Sequence, residues 1–239
     1  MAHQDDEFFC IPQIRSDIES NIDVLIIYLT NGDGAKALPE ERNRETLTVL
    51  TDLEVNSDSV VFLGTDLSIS DGQLYLNMNR AFNGLKNIIQ DKTISSVYFP
   101  CYEGGHQDHD AISWLVSKLI TTETVNCFQF PLYNGYNICS PLFRVMKVMD
   151  TQKKSKISFK FNFLDLKYLL AYKSQKKTWL GLSPFILFRL LLSSKISLVT
   201  FEDCYLSNKP HKGKVLYERR TNVTYNAFIE SVVLFRKAK

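Results

Sequence analysis

Three of the four histidines in this 239-residue chain stand in two short acidic clusters, His3-Gln4-Asp5-Asp6-Glu7 and His106-Gln107-Asp108-His109. Imidazoles and carboxylates grouped in this way suit a metal ion. Two histidines and one carboxylate are a usual ligand set for a catalytic zinc that keeps one position open. A spare carboxylate beside the ion can then act as general base. Both clusters read His-Gln-Asp followed by Asp or His, a repetition that chance rarely produces in a histidine-poor chain. The fourth histidine, His211, follows Lys209-Pro210 outside both clusters and reads as a solvated loop residue.

Ala2-His3-Gln4-Asp5-Asp6-Glu7 resembles the Ala-His-Pro-Asp-Asp-Glu signature of the PIG-L/LmbE family of zinc-dependent N-acetyl-sugar deacetylases. His106-Gln107-Asp108-His109 resembles that family's second signature, His-Pro-Asp-His. Weaker matches follow in the expected order. They are Leu29-Thr30-Asn31-Gly32-Asp33-Gly34 at a strand end, Arg42 with Glu45 on the first helix, and Ser174-Gln175 late in the domain. The resemblance thus runs from residue 2 to about 175.

The resemblance implies His3, Asp6 and His109 as zinc ligands and Asp5 as the general base toward the attacking water. It implies His106 as the residue that steadies the oxyanion and helps protonate the leaving amine, with Asp108 orienting it. Arg42, Asp66 and Asp71 fall where family members place sugar-binding side chains, and a surface or helix role stays open for each. Glu7 reads as a supporting or capping residue. Gln4 and Gln107 replace the prolines of the two signatures, which should preserve the backbone at some cost in preorganisation. In an extended chain Asp5 and Asp6 would point to opposite sides, one to the metal and one to the water. A neighbouring imidazolium would be a strong oxyanion partner in a dry site. The implied activity is zinc-dependent removal of an N-acetyl group from an N-acetylglucosamine-type glycoconjugate, glycolipid or nucleotide sugar. Two alternatives stay open: an amidase acting on another amino-sugar conjugate, and an impaired member that binds glycan or membrane without turnover.

Positioning these residues requires an α/β frame. Asp23–Thr30 is a continuous apolar run of the kind found in buried parallel strands. Ser59–Leu63, Ile94–Phe99 and Val125–Pro131 read as further strands. Helices are expected over Pro39–Val55, Leu74–Gln90 and from Asp108 to about Ile120. The alternation predicts a Rossmann-like, mostly parallel sheet with helices on both faces and ligands beyond the strand ends. In the family an apolar strand precedes the first signature; here only Met1 and Ala2 do, so the first strand of the sheet is expected to be missing. The chain reads as one domain over 1–239, with a sheet core over roughly 1–135 and a less regular part over 136–239. In that part Phe161–Lys173 suits an amphipathic helix, and Asn222–Lys237 resembles a closing one. Trp179–Leu192 is strongly apolar but short of a bilayer span, and reads as core packing or a surface element touching lipid.

Composition narrows the classes further. Hydrophobic residues make up 45% of the chain and mean hydropathy is −0.11, as in soluble globular proteins. Cys10, Cys101, Cys127, Cys139 and Cys204 are odd in number and lack Cys-x-x-Cys spacing, which points to reduced thiols and a cytoplasmic setting. No secretory signal opens the chain as written. Residues 1–120 hold 8 Lys/Arg and 19 Asp/Glu, whereas residues 121–239 hold 20 and 7. The acidic half carries the two motifs. The basic half could meet an anionic or lipid-linked amino sugar or the periphery of a membrane, or it is a solvated face paired with the acidic half. Nucleic acid is not an expected partner.

Overall fold

The structure is a computed structural model of the chain and describes residues 1–34, 38–120, 125–136, 144–149 and 156–238. Cys139 lies outside the described residues; Cys10, Cys101 and Cys127 are buried free thiols. A tight 3-10 turn over Asp6–Cys10 runs into α1 (Ile11–Glu19), followed by β1 (Ile26–Ile27), α2 (Pro39–Asp52), β2 (Val60–Val61) and α3 (Leu63–Asp66). Next come α4 (Met78–Ile89), β3 (Ser96–Pro100), α5 (Gln107–Leu119) and β4 (Asn126–Phe130). The remainder adds β5 (Lys156–Lys160), α6 (Lys176–Leu192), β6 (Lys195–Thr200), α7 (Tyr217–Arg220) and α8 (Tyr225–Lys237).

The helices start where local chemistry favours them. Pro39 opens α2 with Glu40 and Glu41 in its positive first turn. Thr224 caps α8 by accepting the Ala227 N–H at 3.1 Å, and Phe228, Val232 and Phe235 bury one face. The expected helix over Leu74–Gln90 divides into a turn at Leu74–Leu76 and α4, and the Leu74 N–H donates to Asp108 at 3.0 Å. The amphipathic helix expected over Phe161–Lys173 is replaced by 3-10 turns at Phe163–Leu170 and Lys173–Gln175. Buried Asp165 holds the first of them through an ion pair to Arg15 at 2.7 Å.

The α/β architecture with helices on both faces is present, but its sheet comes in two parts. β1 pairs with β2 in parallel. A separate four-stranded sheet has the order β3-β4-β6-β5. Met1 and Ala2 run beside β1 with parallel-type bonds, Met1 N to Ile27 O at 2.8 Å, Leu29 N to Met1 O at 3.1 Å and Thr30 N to Ala2 O at 3.0 Å. The sheet is also not confined to residues 1–135. β6 pairs antiparallel with β4 and with β5, so among the described residues the parallel pairings, β1 with β2 and β3 with β4, lie within the first 135. The Lys195–Thr200 strand covers an edge of β4 that would otherwise be left unpaired.

Alternating sheet residues feed two apolar layers. Tyr28, Phe130, Ile196 and Leu198 pack with α1, α2 and α6 on one side. Leu29, Phe99 and Cys127 pack with α4, α5 and α8 on the other. The strand ends meet at Glu103, in the loop between β3 and α5. Its carboxylate accepts from Leu132 N (2.8 Å), Tyr133 N (2.9 Å) and Asn134 Nδ2 (3.1 Å), tying this loop to the segment after β4. Burial outweighs these donors and pushes the Glu103 carboxyl up to about 7. The folded chain therefore holds this proton more tightly than the unfolded chain, and stability falls as pH rises from the ordinary glutamate range toward 7. Melting temperatures measured across that window should decline more steeply for the native chain than for Glu103→Gln. Parallel curves would show that Glu103 does not titrate there.

Candidate functional site

Both motifs arrive at one place. The second follows β3 through the turn at Cys101–Gly105, and His106 caps α5, its Nδ1 accepting the Asp108 N–H at 3.3 Å. His109 lies in the first turn of α5, buried. The first motif is a tight loop, not the extended chain expected. Asp5 takes φ of 117° and the 3-10 turn begins at Asp6, so the turn separates the two neighbouring carboxylates. A non-glycine residue in that region is strained, and its neighbours hold it. Glu7, fully buried, accepts the Asp5 N–H at 2.9 Å and is itself bonded by Tyr172 (2.9 Å) and Thr46 (3.0 Å). Arg42 donates to the carbonyls of Gln4 and Gly32 and lies 3.2 Å from the Asp5 carboxylate. Its guanidinium is thus committed to the loop. Gly32 sits at φ +68°, and a Cβ there would come within 2.2 Å of the Gln4 side chain.

The glutamines do more than tolerate the backbone. Gln4 Nε2 donates to Asn43 Oδ1 at 2.6 Å, and Gln107 Nε2 to the Gly72 carbonyl at 3.3 Å. Each supplies a side-chain tether where a ring would have supplied stiffness.

His3 Nδ1 lies 3.2 Å from His109 Nε2, which lies 3.1 Å from Asp6 Oδ1. Two ligand atoms on a tetrahedral zinc at 2.0–2.1 Å would be about 3.3 Å apart, so these separations fit one ion. The opposite nitrogen, His3 Nε2, faces Asp71 Oδ1 at 3.1 Å and Asp108 Oδ2 at 3.2 Å. A metal-binding histidine commonly gives its other ring nitrogen to a carboxylate in this way. His3, Asp71, His106 and Asp108 form a second overlapping group. Both oxygens of Asp108 are already taken by the Gly72 N–H (2.6 Å) and the Leu74 N–H (3.0 Å), which favours the first group. Asp108, expected to orient His106, stands closer to His3: its Oδ2 is 3.9 Å from His106 Nδ1.

Burial alone would raise Asp6 and Asp71, but His109 and His3 beside Asp6, and His3, His106 and Arg42 beside Asp71, hold both carboxyls well below the usual range. Burial pushes Asp5 up to about 7, with Arg42 opposing and Asp6 and Glu7 adding to the rise. His106 moves the other way. Burial and the neighbouring His3 push it down to about 4, and the helix N-terminus it caps disfavours a cation. With Nδ1 accepting a backbone N–H, it is a neutral imidazole donating from Nε2, not the imidazolium expected.

A cleft of about 190 Å³ opens over these groups, lined among others by Asp5, Asp71, His106, Tyr133, Gln175 and Trp179. The structure brings together His3, Asp5, Asp6, Arg42, Asp71, His106, Asp108 and His109. It does not bring Asp66, which ends α3 exposed at the surface. His211 is buried rather than solvated, its ring 5.6 Å from Tyr136. Ser174 bonds Glu45 through its N–H (2.9 Å) and hydroxyl (2.6 Å), joining two of the weaker matches, and places Gln175 in the cleft. Tyr133, Thr178, Trp179 and Arg220 also line it. Only the Ser-Gln pair hinted at this wall, since Trp179 read as part of an apolar run.

Residues 1–120, half of the chain, match the family described as PIG-L, GlcNAc-PI de-N-acetylase. The chain belongs to the PIG-L family. Solved structures similar to this PIG-L member include a deacetylase–bog complex from the teicoplanin biosynthesis pathway, with a TM-score of 0.61 at 12% identity. That match covers 84% of this chain and 96% of the other. The zinc-inhibited form of teicoplanin deacetylase gives a TM-score of 0.57 at 12% identity, covering 84% and 97%. No curated protein sequence matches the chain. At such identities the two structures establish the fold.

Proposed function

We propose that this PIG-L member is a zinc-dependent hydrolase that removes the N-acetyl group from an amino sugar of the N-acetylglucosamine type. The convergence of His3 Nδ1, His109 Nε2 and Asp6 Oδ1 beside an Asp5 paired with Arg42 and a neutral His106, at one cleft, carries the reading. His3, Asp6 and His109 would hold the metal. When bound, zinc acidifies water and polarises an amide carbonyl.

The chain's own residues supply the rest. Asp5 lines the cleft without a part in the ligand set, so its carboxylate is available to take the proton of the attacking water. Glu7 and Arg42 fix the backbone that aims it. His106 presents Nε2–H toward the carbonyl oxygen as negative charge develops there. The proton held by Asp5 then serves the departing amine. Asp108 and Asp71 keep the His3 ring in the orientation that turns Nδ1 inward. Aromatic Phe9, Tyr133 and Trp179 line the cleft together with polar Gln175, Thr178 and Arg220, a lining that suits a sugar ring and its hydroxyls.

Incubation of the zinc-loaded protein with N-acetylated amino-sugar conjugates should release acetate and a primary amine in equal amounts. An absence of acetate from every amino sugar, alongside cleavage of some other amide, would replace this reading with the amidase one.

A further inference from the structure

Helix α6 is apolar around most of its circumference, yet only one side of it is covered. Trp179, Ile186 and Leu190 pack into the core. Leu180, Leu187 and Leu191 repeat the same spacing one residue later, and Leu180 and Leu191 are 71% and 77% exposed. Phe188 and Leu192 flank them in solvent. The 3-10 turns before the helix pack against it and add Phe163, Leu164 and Leu170, the last two 76% and 80% exposed. Eight of the fourteen exposed large hydrophobics of the described residues fall within 163–192, and the other six are scattered. Concentrated apolar exposure of this kind marks a contact surface.

Charge indicates what covers it. Residues 156–201 hold eight Lys/Arg and a single acid, Asp165, which is buried against Arg15. Lys173, Lys176 and Lys177 stand exposed at the N-terminal end of α6, and Lys195 stands exposed past its other end. A second copy of the chain would set these lysines against one another. An anionic lipid surface matches both the leucines and the lysines, as for helices that lie in a membrane interface. No helix among the described residues is long and apolar enough to cross a membrane, so α6 would lie on the surface.

We propose that the exposed face of α6, with the turns at Phe163–Leu170, docks the protein on an anionic lipid bilayer. The same helix supplies Thr178, Trp179 and Leu182 to the cleft wall, so docking brings the cleft beside the lipid surface. The inference is independent of the deacetylase reading, because binding is measured without substrate.

The test is co-sedimentation of the full chain with vesicles of phosphatidylcholine alone or mixed with phosphatidylglycerol. The mixed vesicles should bind it at least about tenfold more tightly, and Lys176→Glu with Lys177→Glu should remove about that factor. The triple variant Leu180→Gln, Leu187→Gln, Leu191→Gln should lose binding to both while keeping the native circular dichroism and melting temperature. Failure of the native chain to sediment with mixed vesicles would overturn the proposal whatever the variants do. Equally, a soluble dimer that the triple variant dissociates would assign the face to a second copy.

Discussion

Replacement of His109 by alanine is expected to remove the metal and the activity together. His109 Nε2 is the donor that joins the two motifs, 3.2 Å from His3 and 3.1 Å from Asp6. Without it the remaining ligands belong to one short loop. The loss of affinity should exceed the roughly 10–100-fold that follows removal of a mere supporting partner of a metal ligand. The fold should survive, because Ile112 and Leu115 keep α5 in the core. Metal content after dialysis and acetate release give the two readings, and full activity in a metal-free preparation would end the zinc mechanism.

Asp5→Asn should behave in the opposite manner to Asp6→Asn. The first keeps the ligand set and deletes the base, so zinc stays and turnover falls by about 10²–10⁴-fold. The second removes a ligand oxygen whose partner oxygen also accepts the Ala2 and His3 N–H groups at 2.9 Å each. Zinc binding should weaken first, and the loop should loosen with it. The reverse pattern, with Asp5 needed for metal and Asp6 dispensable, would exchange the two assignments.

The donor types of the candidate metal site were legible in the sequence because they are local. Two histidine clusters and their spacing name the ligand types without any knowledge of the fold, and Pro39 or Thr224 announces a helix by its own covalent chemistry. What stayed hidden depends on partners far along the chain. The left-handed turn at Asp5 is made by Glu7, Arg42 and, through Glu7, Tyr172. The neutral state of His106 comes from burial and from His3, about a hundred positions away. Asp108 could not be assigned to His3 until the two loops met. Asp66 fell away because the short α3 ends at the surface. The antiparallel strands β5 and β6 were missed because their sequences alone do not say which edge they join.

The two-part sheet gives the proposed ion a mechanical role. His3 and Asp6 belong to the loop bonded to β1, whereas His109 belongs to α5 beyond β3, and no ladder hydrogen bond joins those two sheets among the described residues. His3 and His109 are 106 positions apart in the chain. An ion gripped by both would act as a long-range cross-link, closing a loop that the sheet leaves open. At a concentration about 1,000 times its dissociation constant it would add roughly 4 kcal/mol to the stability of the folded chain. A chelator would then lower the melting temperature of the folded domain as well as silence it.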